Sequence, residues 1–390
     1  MSEYQYYEFQ AVDRPLSAPE LAHVRALSTR ATITSTRFVN EYQWGDFKGD
    51  PLTLMERYYD AHLYFANWGT HRLMLRLPRR LLDPRTARCY RPGRGSWGSG
   101  VAVHAKGEHV ILEFRSDDES GDFDEDDEAG EAWLASLITV RADLAGGDHR
   151  ALYLGWLCAV QSGELDDTAV EPPVPPGLAT LSAPLSALAD FLRVGADLLA
   201  IASERSAALR AAGPTPDDLA TWLRALPVAE KDDLLLELAV SGAAPAQAEL
   251  LQRFRRAHPT PGQPVGGRTV GALLDAAEQR AERRRRREAE RAARQREREA
   301  RERAAARAAY LDSLVGREAE LWREVETLAE TKRPKEYDHA ARLIGDLRDL
   351  SVRQDALAAF DRRVDELRVR HAKKPSFIGR LEHVSSTTGS

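Results

Sequence analysis

The stretch EQRAERRRRREAERAARQREREARERAAAR, residues 278–307, decides how the rest of the chain is read. It is almost wholly Arg, Glu and Ala, all good helix formers, and it holds no Gly, Pro or large apolar residue. Glu282/Arg286, Glu290/Arg294, Glu297/Arg301 and Glu299/Arg303 stand in the favourable i,i+4 order, each worth about 0.2–0.5 kcal/mol to a helix. The pattern predicts one helix from Val270 to about Thr331 that tolerates Gly316. Unbroken, it would span roughly 90 Å at 1.5 Å per residue. A heptad seam is missing from its middle. Ala recurs there at eleven-residue steps (Ala281/Ala292, Ala289/Ala300, Ala293/Ala304), a thin stripe suited to near-straight packing.

Apolar residues return on both flanks, at 270–277 and 310–329. Leu314, Leu321, Trp322, Val325 and Leu328 form a candidate partner-packing face, through which the helix would pair with another protein or a second copy. Arg283, Arg284, Arg285, Arg286, Arg287, Arg291 and Arg294 are the candidate contacts to an anion or nucleic acid, through counterion release that ignores base sequence. Five consecutive arginines go all round a helix instead of forming one groove-reading face. Aromatic residues that would stack bases are absent between Leu273 and Tyr310. A solvated, self-paired helix acting as a spacer is the reading these features favour.

Beyond the helix, Pro334 closes it, and Tyr337–Leu350 and Leu357–Val369 predict a helical hairpin. Leu357, Phe360, Val364 and Leu367 would pack on Leu343, Leu347 and Leu350. Pro375 starts a short last helix, and Ser385–Ser390 read as a disordered tail. Upstream, residues 178–267 predict a small helical bundle, with starts at Ser182/Pro184, Thr215/Pro216, Pro227 and Pro245. Its apolar runs are Leu185/Leu188/Phe191/Leu192, Leu219/Trp222/Leu223 and Leu234/Leu235/Leu238. The segment EPPVPPG, 171–177, reads as a stiff spacer.

Residues 1–168 predict an α+β domain. Tyr7, Phe9 and Ala11 alternate with polar residues as in a half-buried strand, and Phe38, Tyr42 and Trp44 mark a second. Asp50-Pro51 starts a helix, whose apolar face would carry Met55, Tyr58, His62 and Phe65. Leu73, Leu75 and Leu77 predict a third strand, and Val101–Phe114 a hairpin turning at Lys106-Gly107. A sheet with helices on one face, in a ferredoxin-like variant, is the expected arrangement. Residues 117–128 read as a solvated acidic loop, and Trp133–Val160 as helical. The predicted organisation is thus 1–168, a linker at 169–177, a bundle at 178–267, the long helix at 268–332, the hairpin at 333–384 and the tail at 385–390. The fold class is an α+β N-terminal domain followed by a mainly α-helical region with a long charged helix and a C-terminal helical hairpin.

Composition narrows the function. Net charge is −6 overall, distributed as −9 over 1–170, −3 over 171–267 and +6 over 268–390. Only seven of the 55 basic residues are Lys, a skew that a GC-rich genome produces without selection for anion binding. The two cysteines, Cys89 and Cys158, stand outside any CxxC or Cys/His spacing, so neither a disulfide framework nor a structural zinc site is indicated. The start MSEYQYYEFQ lacks the features of a signal peptide, and no apolar run reaches the roughly 18 residues of a membrane span. A cytoplasmic protein is expected.

Catalytic motifs fail on their own terms. Gly93-Arg-Gly95-Ser-Trp-Gly98 satisfies G-x-G-x-x-G, but a strand follows it where a dinucleotide site needs a helix N-terminus. His-Arg-Asp and Asp-Phe-Gly are absent, so a kinase reading lacks its base and its metal ligand. Asp122-Phe-Asp124-Glu-Asp126 opens like a calcium loop, yet Asp127 stands where Gly is needed and Trp133 where a bidentate Glu should be. His104, His109 and Glu108 flank one turn without a third ligand, and His62 reads as a core histidine. No catalytic, cofactor or metal residue is assigned.

YYEF (6–9), VNEYQWGDFKGDP (39–51) and YFANWG (64–69) resemble a family of uncharacterised bacterial proteins that share this layout through the Pro-rich linker, a resemblance that implies no activity. Tyr337-Asp-His-Ala-Ala, Leu347-Arg-Asp-Leu350, Phe360 and His371-Ala-Lys-Lys-Pro375-Ser-Phe are similar to the helical C-terminal segment of SWIM zinc-finger proteins, over about fifty residues. The Cys/His ligands of that family are absent here, so the resemblance implies a protein-binding helical hairpin and not zinc or nucleic-acid binding. The expected function is therefore a non-enzymatic interaction or scaffold protein with a protein partner. Nucleic-acid binding through the Arg-rich helix is one alternative. An enzyme site in the N-terminal part is another, and it predicts a deep polar pocket near His104, His109 and Trp44.

Overall fold

The computed structural model describes residues 4–93, 98–117, 130–209, 215–241, 247, 249–251, 253–254, 257–258, 267–331 and 333–386. The segments 94–97, 118–129, 242–246 and 387–390, with the tryptophan of the Gly-rich loop, the calcium-like loop, the expected helix start at Pro245 and the last tail residues, lie outside them. The chain divides into two units, 1–284 and 285–390.

The first unit is built on a seven-stranded sheet. Strands β1 (Gln5–Gln10), β2 (Thr32–Ile33), β3 (Arg37–Tyr42), β4 (Ala61–Ala66), β5 (Thr70–Pro78), β6 (Gly100–Lys106) and β7 (His109–Asp117) run in the order β2-β3-β1-β4-β5-β7-β6. Every ladder among them is antiparallel. Local signals place the helix start at Asp50-Pro51 and the Lys106-Gly107 turn as expected. Helix α1 spans Ala18–Arg25, and α2 spans Pro51–Arg57 with the Asp50 carboxylate accepting from Thr53 N at 2.8 Å. Gly107, at φ +53, turns the β6–β7 hairpin.

One expectation fails here. His62 and Phe65 belong to strand β4 and not to the α2 helix, which ends at Arg57. Ala61, Leu63 and Phe65 face one core and His62 the other, so the strand is buried on both sides and its sequence shows no alternation. Helical spacing fits such a run by accident.

Helices cover both sheet faces, which replaces the one-sided, ferredoxin-like arrangement. Phe9, Phe38, Met74 and Ile111 pack under α2 with Leu54, Met55 and Tyr59. The opposite face meets α3 (Pro84–Arg88), α4 (Gly130–Leu137), α5 (Val140–Ala145) and α6 (Arg150–Gln161). Helix α6 is buried from Arg150 to Val160. A Cβ on its Gly155 would sit 2.8 Å from Val101 Cβ, so glycine lets helix and sheet approach.

The segment 171–177 departs from the spacer reading. Glu171, Val174 and Leu178 are buried, and one core includes the sheet, α6, helices α7 (Ala183–Phe191) and α8 (Ala196–Ser203), and Val270 and Leu273 from the start of the long helix. Proline does hold the chain extended, but along a protein surface that buries it. An antiparallel bridge, Val170 to Thr269, and the Glu171–Arg268 ion pair at 2.6 Å close this layer. Helices α9 (Pro216–Ala225) and α10 (Val228–Ser241) follow, with Trp222 edge-on to Phe254 at 5.5 Å. Of the expected inward leucines, Leu234 is buried, whereas Leu235 and Leu238 are exposed.

Helix α11 runs Val270–Leu314, 45 residues, and stops there instead of continuing to Thr331. Gly316 takes φ +81, a left-handed conformation that ends a helix. The second unit then contains α12 (Glu318–Glu330), α13 (Pro334–Arg353), α14 (Leu357–Arg370) and α15 (Pro375–Ser386). The predicted hairpin, α13 with α14, is part of a larger bundle: Leu311, Leu314, Leu321 and Val325 share one core with Leu343, Leu347, Phe360 and Phe377. Arg307 reaches Asp346 at 2.5 Å and Asp349 at 2.6 Å, and Tyr310 donates to Asp346 at 2.8 Å. Helix α15 includes Ser385 and Ser386, so the helix runs two residues into the expected tail.

Candidate interaction groove

A groove in the second unit is shaped by side-chain size. Leu347, Leu350 and Phe360 are buried and form its floor. Trp322 stands on α12 one turn after Glu318, with its ring 5.7 Å from that of Phe360. Ala319, Ala356 and Ala359 leave room that longer side chains would fill, and the cavity measures about 560 Å³. Asp355 makes the sharp α13–α14 turn at φ +55, which sets Ala356 and Ala359 beside the floor. The rim is polar. Gln354 donates to Glu318 at 3.0 Å, Gly316 N donates to the same carboxylate at 3.1 Å, and Arg323 and Arg363 add positive charge. Hydrogen bonds from the amides of Glu318 itself, Gln354 and Gly316 hold the Glu318 carboxyl below its ordinary range. An apolar floor, an aromatic wall and a charged rim are what an amphipathic helix requires of a receptor.

The candidate partner-packing face is corrected by this geometry. Leu314, Leu321 and Val325 are buried in the bundle's own core, and Leu328 and Trp322 pack partly against it. Their stripe is consumed within the unit because the chain turns at Gly316 and folds α13 back on α12. Of the five, only Trp322 lines the groove. The signal that would have found the groove is the run of small residues, Ala356 and Ala359, beside Phe360.

The candidate anion contacts Arg283, Arg284, Arg285, Arg286, Arg287, Arg291 and Arg294 are all exposed. Arg284 donates twice to Asp197, at 3.0 and 3.1 Å, with Arg280 at 3.4 Å from the same carboxylate. Arg286 turns to Glu290 at 3.4 Å, Arg298 to Glu302 at 3.0 Å, and Glu299 to Arg303 at 3.9 Å. Of the four i,i+4 pairs expected from sequence, Glu299/Arg303 is among these contacts, whereas Arg286 turns to Glu290 and not to Glu282. The helix thus supports itself by ion pairing.

In the first unit, His104, His109 and Trp44 do not share one deep pocket. Trp44 is 66% exposed, beneath the Arg30 guanidinium at 4.5 Å. A cleft of about 130 Å³ takes His104 but neither of the other two. His104 Nε2 lies 2.9 Å from Glu113 Oε2, and Arg72 Nε lies 2.6 Å from Glu113 Oε1. Burial raises the Glu113 carboxyl, but the His104 hydrogen bond and the Arg72 charge outweigh it and hold the group at about 2. His62 stacks on Phe9 at 3.9 Å, and burial and the Arg72 charge lower it to about 3. The end of the Gly-rich loop is pinned by Glu164, which accepts from Ser99 N at 3.2 Å. Cys89 is exposed, and the buried Cys158 thiol is pushed up to about 11 by burial. Among the described residues, no group of three His, Cys, Asp or Glu is placed to hold a metal, and no helix is long and apolar enough to cross a membrane.

Comparisons with family models, with curated proteins and with solved structures find no match.

Proposed function

We propose that the chain is a non-enzymatic interaction protein whose second unit takes an amphipathic helix of a protein partner into the Trp322–Phe360 groove. The charged segment 278–307 serves as the spacer. The observation that carries the reading is the groove itself, an apolar floor left open by three alanines next to an aromatic pair. Arg323 on the rim favours a partner helix with an acidic residue flanking its apolar anchors, whereas Arg363 already lies 3.5 Å from Glu366 and 3.8 Å from Glu326. The test is Ala359→Arg: the residue is exposed and lines the groove, so arginine fills the space without removing core atoms. A photo-crosslinker at position 319, also exposed on the groove, captures the partner, and adding Ala359→Arg to that chain abolishes the capture while the unit melts at its normal temperature. If every partner captured by the native chain is retained by Ala359→Arg, the reading fails.

A second reading, sequence-independent nucleic-acid binding, is favoured by the exposure of the seven named arginines. It requires DNA or RNA retention that weakens steeply with salt and disappears when Arg285, Arg286 and Arg287 become Glu.

A further inference from the structure

We infer that the cleft beside edge strand β6 is a binding site for a small oxyanion, such as a phosphoryl or carboxylate group. The cleft runs along Gly100–His104, which pair with β7 on one side only. Three cationic or donor side chains line it: Arg91, His104 and Arg115. Each carboxylate near it already holds a partner. Glu113 is shared between Arg72 and His104, Asp117 takes Arg115 at 2.5 Å, and Glu164 accepts from Ser99 N. Arg91 is exposed and, among the described residues, makes no ion pair.

The balance decides the sign. Among the residues that line the cleft, Arg91 and Arg115 contribute two positive charges against the one carboxylate of Glu113. Glu164 lies against the Gly98 backbone, where a Cβ would sit 1.6 Å from its Oε1, and accepts from Ser99 N at 3.2 Å. An incoming oxyanion would meet the Arg91 guanidinium and the unshared donors of Arg115; His104 Nε2 donates to the Glu113 carboxylate, so its second ring nitrogen donates to the oxyanion only in the imidazolium form. The site belongs to the first unit and does not depend on how the groove of the second unit is used.

The probe is inorganic phosphate, titrated into the full chain at low salt and followed by calorimetry. Saturable binding is expected, weakened about tenfold by Arg91→Ala, which alters an exposed side chain, and similarly by His104→Ala. Asp117→Asn releases Arg115 and strengthens binding. The triple change Arg285→Glu, Arg286→Glu and Arg287→Glu leaves it unchanged, separating this site from the Arg-rich helix. No saturable binding, or binding that Arg91→Ala and His104→Ala leave as in the native chain, overturns the inference. So does binding lost only with the triple change.

Discussion

Arg268→Ala is expected to destabilise the first unit by about 3–5 kcal/mol, because it strips the partner from a buried carboxylate. The Glu171 side chain is fully buried and holds Arg268 through two bonds, at 2.6 and 2.9 Å. Tyr153 donates to the same carboxylate at 2.5 Å, and Arg268 also donates to the Ile201 carbonyl at 2.9 Å. The pair therefore ties segment 171–177, α6, α8 and the start of α11 together. With alanine at 268, the carboxylate keeps only the tyrosine hydroxyl, and the Ile201 carbonyl loses a donor. For a unit of this size the loss lowers the melting transition by on the order of 10 °C. Scanning calorimetry should show that shift in one transition and none in the transition of residues 285–390, which have a separate core. Combining Tyr153→Phe, Glu171→Leu and Arg268→Met removes every polar member at once and should return the transition close to that of the native chain. Arg268→Ala melting within about 2 °C of the native chain would refute the reasoning, since that shift corresponds to about 1 kcal/mol or less for a unit of this size. A triple variant as unstable as the single one would do the same.

Two further predictions test the second unit and the sheet. Gly316→Ala should cost the second unit about 1–2 kcal/mol, since φ +81 strains any residue with a Cβ although no atom lies within 4 Å. An uninterrupted helix through 316 would instead gain roughly 0.5–1 kcal/mol from the same change, so the sign of the shift in a urea melt decides between them. Acid should weaken the first unit in two steps. His62, about 3 when folded against an ordinary 6.5, binds its proton more readily unfolded, so stability falls as pH drops from about 6.5 toward 3. Glu113, about 2 against an ordinary 4.5, adds stability above 4.5 that is lost as pH falls through 2. His62→Gln should flatten the higher of the two steps in pH-dependent urea midpoints, and an unchanged profile would dismiss that assignment.

Much of the fold was legible where the cause is local. Asp50 and Thr215 cap their helices next to a proline, and the Lys106-Gly107 turn follows from alternation and one glycine. The charged helix was legible because 278–307 offers the backbone no alternative. The groove was not, because its space comes from what Ala319, Ala356 and Ala359 lack, and that matters only once α12 and α14 are side by side. Strand β4 was misread because a strand buried on both faces loses its period of two. The candidate site residues fared likewise: spacing picked out a real apolar stripe at Leu314–Leu328 but not what covers it.

By itself, the sequence determined the α+β-then-helical order, the caps, the hairpin turn and the long charged helix, all set by residues within about one helical turn of each other. Only the tertiary structure decided that 171–177 is core and not spacer, that the long helix stops at Leu314, and that the stripe at 314–328 faces inward. Those outcomes depend on which distant surfaces meet, as Glu171 meets Arg268 across 97 residues. Burial energy is set by that meeting and not by either residue alone.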